Sequence, residues 1–265
     1  MNVDLSRKVA IVTASSRGIG KAIALKLAMS GADVAICSRD PRAIQQSARE
    51  IAERTGVRVF SRAVDLSRSE SVAQFARDVA AELGPPDILV YNSGPPRPGL
   101  FSELSVADWR QAFDLIVMSA VVLTQEVLPA MRERKWGRLI YMASASVVRP
   151  IPDLCLSNVM RSAVVALARS LVNEVGHDGI TANAILVANV ETERQQQLLR
   201  KRAAEAGLDE EIFYQREMAK SPVGRFAHPS EMAEAVAFLA SPEGGFVHGA
   251  VWNVDGGYIE IPPTA

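Results

Sequence analysis

Two hydrophobic periods alternate along the chain. Val9–Thr13 (VAIVT) is an unbroken, β-branched apolar run that stops at Ala14, Ser15 and Ser16. From there the apolar positions fall at Ile19, Ile23 and Leu27, one face of a helix that Gly31 closes. The alternation then repeats. Asp33–Ser38 predicts a second strand, and Pro41 opens a polar helix that runs to Thr55. Val57–Val64 predicts a third strand, Ser69–Leu83 a helix, and Asp87–Tyr91 a fourth strand. Val106–Arg134 is a long helical region, Arg138–Ser144 a fifth strand, Cys155–Val175 a helix, and Ile180–Val187 a sixth strand. Residues 190–220 are polar and helical in pattern, and are expected to form a lid over a substrate. Ser230–Ala240 predicts the last helix and Ala250–Val254 a short closing strand.

Near-continuous apolar strands separated by helices argue for a parallel sheet covered on both faces. Right-handed crossovers follow from the twist of the strands. No linker, repeat or compositional break divides the chain, so a single α/β domain spanning 1–265 is expected. Its sheet should be doubly wound.

Composition narrows the function classes. Hydrophobic residues make up 48% and charged residues 22%, the balance of an ordinary globular protein. With 29 basic and 30 acidic residues the net charge is −1, so neither general nucleic-acid binding nor electrostatic docking to a membrane is expected. Cys37 and Cys155 are the two cysteines, without C-x-x-C spacing or a ligand cluster. No metal site and no disulfide is expected, and a reducing, cytoplasmic location fits. The polar opening Met1–Lys8 does not read as a signal peptide. No unbroken apolar run reaches the roughly 18–20 residues of a membrane helix. The expected partner is a small molecule.

The chemistry begins at Thr13-Ala14-Ser15-Ser16-Arg17-Gly18-Ile19-Gly20, between the first strand and the first helix. Glycines there let the backbone approach a pyrophosphate, and a helix N-terminus favours its charge. Asp65 and Leu66 follow the third strand, Asn92-Ser93-Gly94 the fourth, and Gly249…Val254-Asp255-Gly256-Gly257 closes the chain. In this order, each at its strand end, these segments resemble the short-chain dehydrogenase/reductase family over essentially the whole sequence. The resemblance implies a Rossmann-type fold and a nicotinamide cofactor held by Thr13, Ser15, Arg17, Gly18, Ile19 and Gly20. It adds Asp65 and Leu66 beside the adenine, then Asn92, Ser93 and Gly94, and lastly Arg161 and Thr192. Ala14 departs from the pattern, since it stands where the family has glycine. If that position needs a positive φ, its Cβ costs on the order of 1 kcal/mol.

Charge selects the cofactor. An NAD site places a carboxylate about 20 residues on, at the end of the second strand. Here that strand ends Ser38-Arg39, and Arg17 precedes Gly18. Two guanidiniums suit a 2′-phosphate, so NADP(H) is expected over NAD(H). Asp40 tempers this, and two solvated surface arginines are the bland alternative.

The catalytic positions implied by the resemblance are Ser144, Ser157 and Arg161. Ser144 matches the family's serine. Ser157, thirteen residues on, stands where the family has its tyrosine acid, and Arg161 where it has lysine. Ile116, seven residues after Trp109, replaces an asparagine of the proton relay, and Val187-Ala188 replaces a Pro-Gly, while Thr192 keeps its place. A serine hydroxyl is a far weaker acid than a phenol, and arginine does not titrate. General acid catalysis is worth ~10²–10⁴-fold, so ordinary carbonyl reduction should be crippled unless another donor serves. The other candidates are weak. Tyr141 should face the opposite side of the sheet from Ser144. Tyr214 reads as packing, Asp153 and Cys155 lie near the mouth, and His177, His228 and His248 should be remote.

Arg97, Arg149 and Arg161 could together favour an anionic substrate, or Arg97 and Arg149 could simply be solvated. Two functions stay open. The first is an NADP(H)-dependent oxidoreductase with an atypical site, acting on a carbonyl or hydroxyl of a 3-oxoacyl-like small molecule. The second is a non-catalytic NADP(H)-binding sensor or assembly subunit. The resemblance also implies a homo-oligomer, tetramer or dimer.

Overall fold

The computed structural model describes residues 3–259, so Met1, Asn2 and the last six positions of the expected domain lie outside the described residues. Seven strands form one parallel sheet in the order β3-β2-β1-β4-β5-β6-β7. They are β1 (Val9–Val12), β2 (Asp33–Ser38), β3 (Val59–Ala63), β4 (Ile88–Tyr91), β5 (Gly137–Ser144), β6 (Ile180–Val187) and β7 (Val251–Val254). The strand order reverses between β1 and β4, where Ile11 pairs with Leu89. That reversal opens a crevice at the carboxyl ends of the strands, the ligand position of doubly wound sheets.

Alternation along each strand sends side chains to two separate cores. Val9, Ile11, Leu89, Tyr91, Leu139 and Tyr141 pack against α3 (Ser69–Glu82), α5 (Ser119–Glu133) and α6 (Cys155–Val175). Ala10, Val12, Ile88, Val90, Ile140 and Met142 pack against α1 (Gly18–Met29), α2 (Pro41–Thr55) and α9 (Pro229–Ala240). Two helical stretches, Val106–Glu133 and Cys155–Asp178, are long and apolar enough to cross a membrane, with mean hydropathy 1.5 and 1.3. Neither stretch is an unbroken apolar run. The polar residues within each stretch are spaced so that one face remains apolar, and that face lies on the sheet.

Several boundaries differ from the periodicity. β3 starts at Val59 rather than Val57, because Gly56 ends α2 in the left-handed conformation (φ 75°) and Arg58 is drawn to the Asp33 carboxylate (2.6 and 2.9 Å). The Val106–Arg134 region is two helices, α4 (Val106–Phe113) and α5, joined by a π-helical turn at Asp114–Met118. Residues 190–220 hold α7 (Glu193–Glu205) and α8 (Glu210–Met218). Arg202 of α7 grips Asp153, in the loop before α6, through three hydrogen bonds of 2.7–3.2 Å.

Candidate active site

The turn after β1 is held from beneath. Thr13 Oγ1 donates to the Asn92 carbonyl (2.6 Å) and accepts the Asn92 N–H (2.8 Å), which ties the ends of β1 and β4 together. Ser15 Oγ donates to Val12 O (2.7 Å). Both side chains are fully buried, so they shape the turn from the inside. Ala14 stands at φ 49° and Gly18 at φ 57°, both in the left-handed region. The anticipated Cβ strain at Ala14 is therefore present. A Cβ on Gly20 would meet the Ala14 carbonyl oxygen, so that position needs glycine. Arg17 caps α1 without a side-chain hydrogen bond, which leaves the first-turn N–H groups free for an anion.

Two adjoining cavities run along the crevice. The first, about 280 Å³, is bounded by Ala14, Arg17, Ser38, Arg39, Asp40 and Leu66. Asp40 lies on this wall, but its carboxylate is already engaged. Its carboxylate accepts from the Arg42 and Ala43 amides (2.9 and 3.1 Å) and caps α2. Arg39, Arg17 and Arg194 are then the charged donors there. Asp65 is turned to Ser67, accepting from its amide and hydroxyl. Burial works against its ionisation, but Ser67 and the charges of Arg39 and Arg68 hold the carboxyl below its usual value.

The second cavity, about 320 Å³, brings together Gly18, Ile19, Gly20, Asn92, Ser93 and Gly94 with Ser144, Ser157, Arg161 and Thr192. Ser157 and Arg161 lie one turn apart on α6, and Arg161 Nε donates to Ser157 Oγ (3.2 Å) while Nη1 reaches Met142 O (3.4 Å). Burial depresses the guanidinium pKa, and the nearby Tyr91 works against that. Ser144 Oγ accepts the Ser146 N–H (3.1 Å). Ser93 Oγ is buried without a partner. Beneath this wall lies Tyr91, whose phenol burial pushes up to about 12, with Ser119 opposing. Ile116 is fully buried in the core, so its side chain offers the cavity nothing.

The alternative proton donors are engaged elsewhere. Tyr141 faces away from the cavity, bonded to Thr124 Oγ1 (2.7 Å), and burial raises its phenol pKa. Tyr214 packs edge-on against Phe226 and donates to Glu191. Asp153 is bound by Arg202, and Cys155 begins α6 outside the cavity wall. His248 bridges Val172 and Ala182, His228 caps α9, and His177 lies in the short turn after α6. Of the two alternatives for Arg97, Arg149 and Arg161, the cluster does not form. Arg97 pairs with Asp108 (2.7 Å), and Arg149 lies over Tyr258 and donates to its carbonyl. Two other charged residues stand there instead. Glu193 and Arg194, in the first turn of α7, line the second cavity with Arg17, and Arg17 pairs with Glu193 (3.2 Å). Burial and the charge of Arg17 hold Arg194 below its ordinary value. Their only signal in sequence was their place just after Thr192.

The fold and crevice define a dinucleotide-binding α/β domain of the Rossmann type. A family model described as "Enoyl-(Acyl carrier protein) reductase" matches residues 13–259. The 3-oxoacyl-[acyl-carrier-protein] reductase FabG of Aquifex aeolicus is 30% identical over 97% of this chain and 99% of its own. The uncharacterized oxidoreductase YvrD of Bacillus subtilis is 31% identical over 98% and 99%. Among solved structures, L-sorbose reductase from Gluconobacter frateurii, complexed with NADPH and L-sorbose, superimposes with a TM-score of 0.94 at 32% identity, covering 99% of this chain and 100% of that one. The chain belongs to the short-chain dehydrogenase/reductase family.

Proposed function

We propose that this protein is an NADP(H)-dependent oxidoreductase with an atypical active site, acting on the carbonyl or hydroxyl of a small molecule. The observation that carries the reading is the continuous crevice from Arg39 and Arg17 to Ser144, Ser157 and Arg161. Arg17 and Arg39 would hold the 2′-phosphate, and the uncapped α1 N-terminus with Gly18 and Gly20 would take the diphosphate. Asp65 and Leu66 would border the adenine. Asn92, Ser93, Gly94, Arg161 and Thr192 would border the nicotinamide half, with Thr13 and Ser15 fixing the turn. When bound, the nicotinamide supplies or accepts a hydride. Ser144, Ser157 and Arg161 would orient and polarise the substrate oxygen, and α7 with α8 would act as its lid. A 3-oxoacyl-like substrate is supported by the FabG relatives. Exposed Phe113 and Val159, on α4 and α6, support a homo-oligomer, and two free cysteines suit the cytoplasm.

Titration with NADPH and NADH tests this directly, with NADPH expected to bind the tighter. Binding of neither removes the reading. A second reading, a non-catalytic NADP(H)-binding sensor or assembly subunit, is favoured by one observation: no tyrosine or lysine lines the second cavity. The variant Ser157→Tyr/Arg161→Lys/Ile116→Asn separates the two. Reductase activity in that variant alone favours the sensor, whereas activity in the unaltered chain favours the enzyme.

A further inference from the structure

The groups around Arg161 are donors in search of an acceptor. A guanidinium offers five N–H bonds. Among the described residues, Nε and Nη1 each make one hydrogen bond, both long, and Nη2 makes none. Ser157 Oγ and Ser144 Oγ accept hydrogen bonds from Arg161 and from the Ser146 amide, which leaves their own hydrogens available. Glu193, the one carboxylate on this wall among the described residues, is held by Arg17 rather than by Arg161.

None of these donors readily gives up its proton. Arginine stays protonated, and a serine hydroxyl is a weak acid. The nearest phenol, Tyr91, already hydrogen-bonds the Ile116 carbonyl and Ser119 behind the wall. The cavity is therefore built to stabilise a negative oxygen and has no means of neutralising one. Fixed donors aimed at developing charge stabilise it with no reorganisation at the moment of reaction.

We propose that Arg161, Ser157 and Ser144 form an oxyanion site, selective for a conjugated carbonyl acceptor (a quinone or an enone) whose reduced oxygen keeps a delocalised negative charge. The substrate class rests on the oxidoreductase reading above, while the oxyanion site itself requires no nucleotide. An isolated ketone, once reduced, carries its charge on an alkoxide, so a proton must arrive as the new C–H bond forms. A conjugated acceptor takes the same two electrons and one hydrogen, leaving the nicotinamide oxidised. In an enone the new C–H bond forms at the far carbon, the double bonds shift, and the oxygen becomes an enolate. In a quinone the hydrogen ends on one oxygen and the other keeps the charge. Water supplies the last proton in both cases.

The site can be read without turnover. 4-Nitrophenol changes colour on ionisation, so its titration into the full-length protein, with and without NADP⁺, reports which form is held. The phenolate should bind about 10- to 1000-fold more tightly than the phenol. Arg161→Leu should abolish that preference, and Ser157→Ala should reduce it about 2- to 10-fold. If Arg161→Leu does not fold, the Ser144→Ala/Ser157→Ala double variant carries the test. Equal binding of the two forms, or no binding of either, overturns the oxyanion site.

Turnover tests the substrate class separately. NADPH oxidation should be about 100-fold or more faster with a naphthoquinone or cyclohexenone than with cyclohexanone, and the faster arm identifies the acceptor. Equal rates with cyclohexanone overturn the substrate class. A phenolate preference with no NADPH oxidation in any arm supports the site and overturns the class together with the oxidoreductase reading.

Discussion

The hydroxyl of Tyr91 donates to the backbone carbonyl of Ile116 at 2.7 Å, from the end of β4 to the π-helical turn between α4 and α5. The same oxygen lies 2.7 Å from Ser119 Oγ and 3.2 Å from Leu115 O. A π turn releases carbonyls from the regular helical ladder, and such turns collect at functional sites. Here a buried phenol takes up one of those carbonyls. Tyr91→Phe should leave it unpaired and lower stability by about 1–3 kcal/mol. Urea unfolding monitored by fluorescence measures this, and an unchanged midpoint would show that Ile116 O finds another partner.

Cofactor choice should turn on Arg39. Its competitor, Asp40, is occupied with the α2 amides, so the end of β2 presents positive charge to the crevice. A charge-assisted hydrogen bond is worth about 1.5–3 kcal/mol. Arg39→Ala should thus weaken NADPH binding about 10- to 150-fold and leave NADH nearly unchanged, as read by isothermal titration. An equal loss for both nucleotides would place Arg39 outside the 2′-phosphate site.

The turn after β1 makes opposite predictions at two positions. Ala14→Gly should relieve left-handed strain and stabilise the fold by roughly 1 kcal/mol, less whatever entropy glycine adds to the unfolded chain. Gly20→Ala forces a Cβ against the Ala14 carbonyl, and should cost about 1–3 kcal/mol and weaken nucleotide binding. Thermal melts of the two variants should shift in opposite directions. A Gly20→Ala protein with unchanged melting would mean that the turn gives way cheaply.

Glu231 links stability to acid. Its carboxylate takes two hydrogen bonds from Arg225 (2.6 and 2.7 Å) and the His228 amide (2.8 Å), and chiefly the Arg225 contact lowers its pKa from 4.5 to about 2. Because the folded value is depressed, the contribution is fully present above about pH 4.5 and is lost as pH falls through about 2. The pair is exposed, so solvent screening keeps it below roughly 1 kcal/mol. Glu231→Gln should be less stable than the parent at pH 7, with the two converging near pH 2. Parallel curves across that window would rule out the linkage.

The strands were legible because each is an apolar run bounded by turn residues, and the parallel sheet followed from their alternation with helices. Asp40 lines the crevice and also caps α2, a role legible in sequence because Asp followed by Pro41 is a helix-start signal. The π turn was not legible, since Asp114–Met118 keeps a helical pattern and only its tertiary bonds to Tyr91 reveal it. Arg97 and Arg149 share the end of the sheet with Arg161, since their loops follow β4 and β5, but each has a nearer partner, Asp108 and Tyr258. Ser157 and Arg161 were placed by the family resemblance, and their i, i+4 spacing on α6 puts them in contact. Glu193 reaches Arg17 across 176 positions, a contact that only the folded chain creates.

Ala14 holds its left-handed backbone while carrying a methyl group. A glycine there could wander among several shapes before a ligand arrived, whereas alanine has few open to it. The strained turn therefore waits already folded around its anion position, with little disorder left to lose on docking. Replacing it with glycine should then show its cost in association: an arriving anion would meet the right shape less often, even in a protein that melts at a higher temperature.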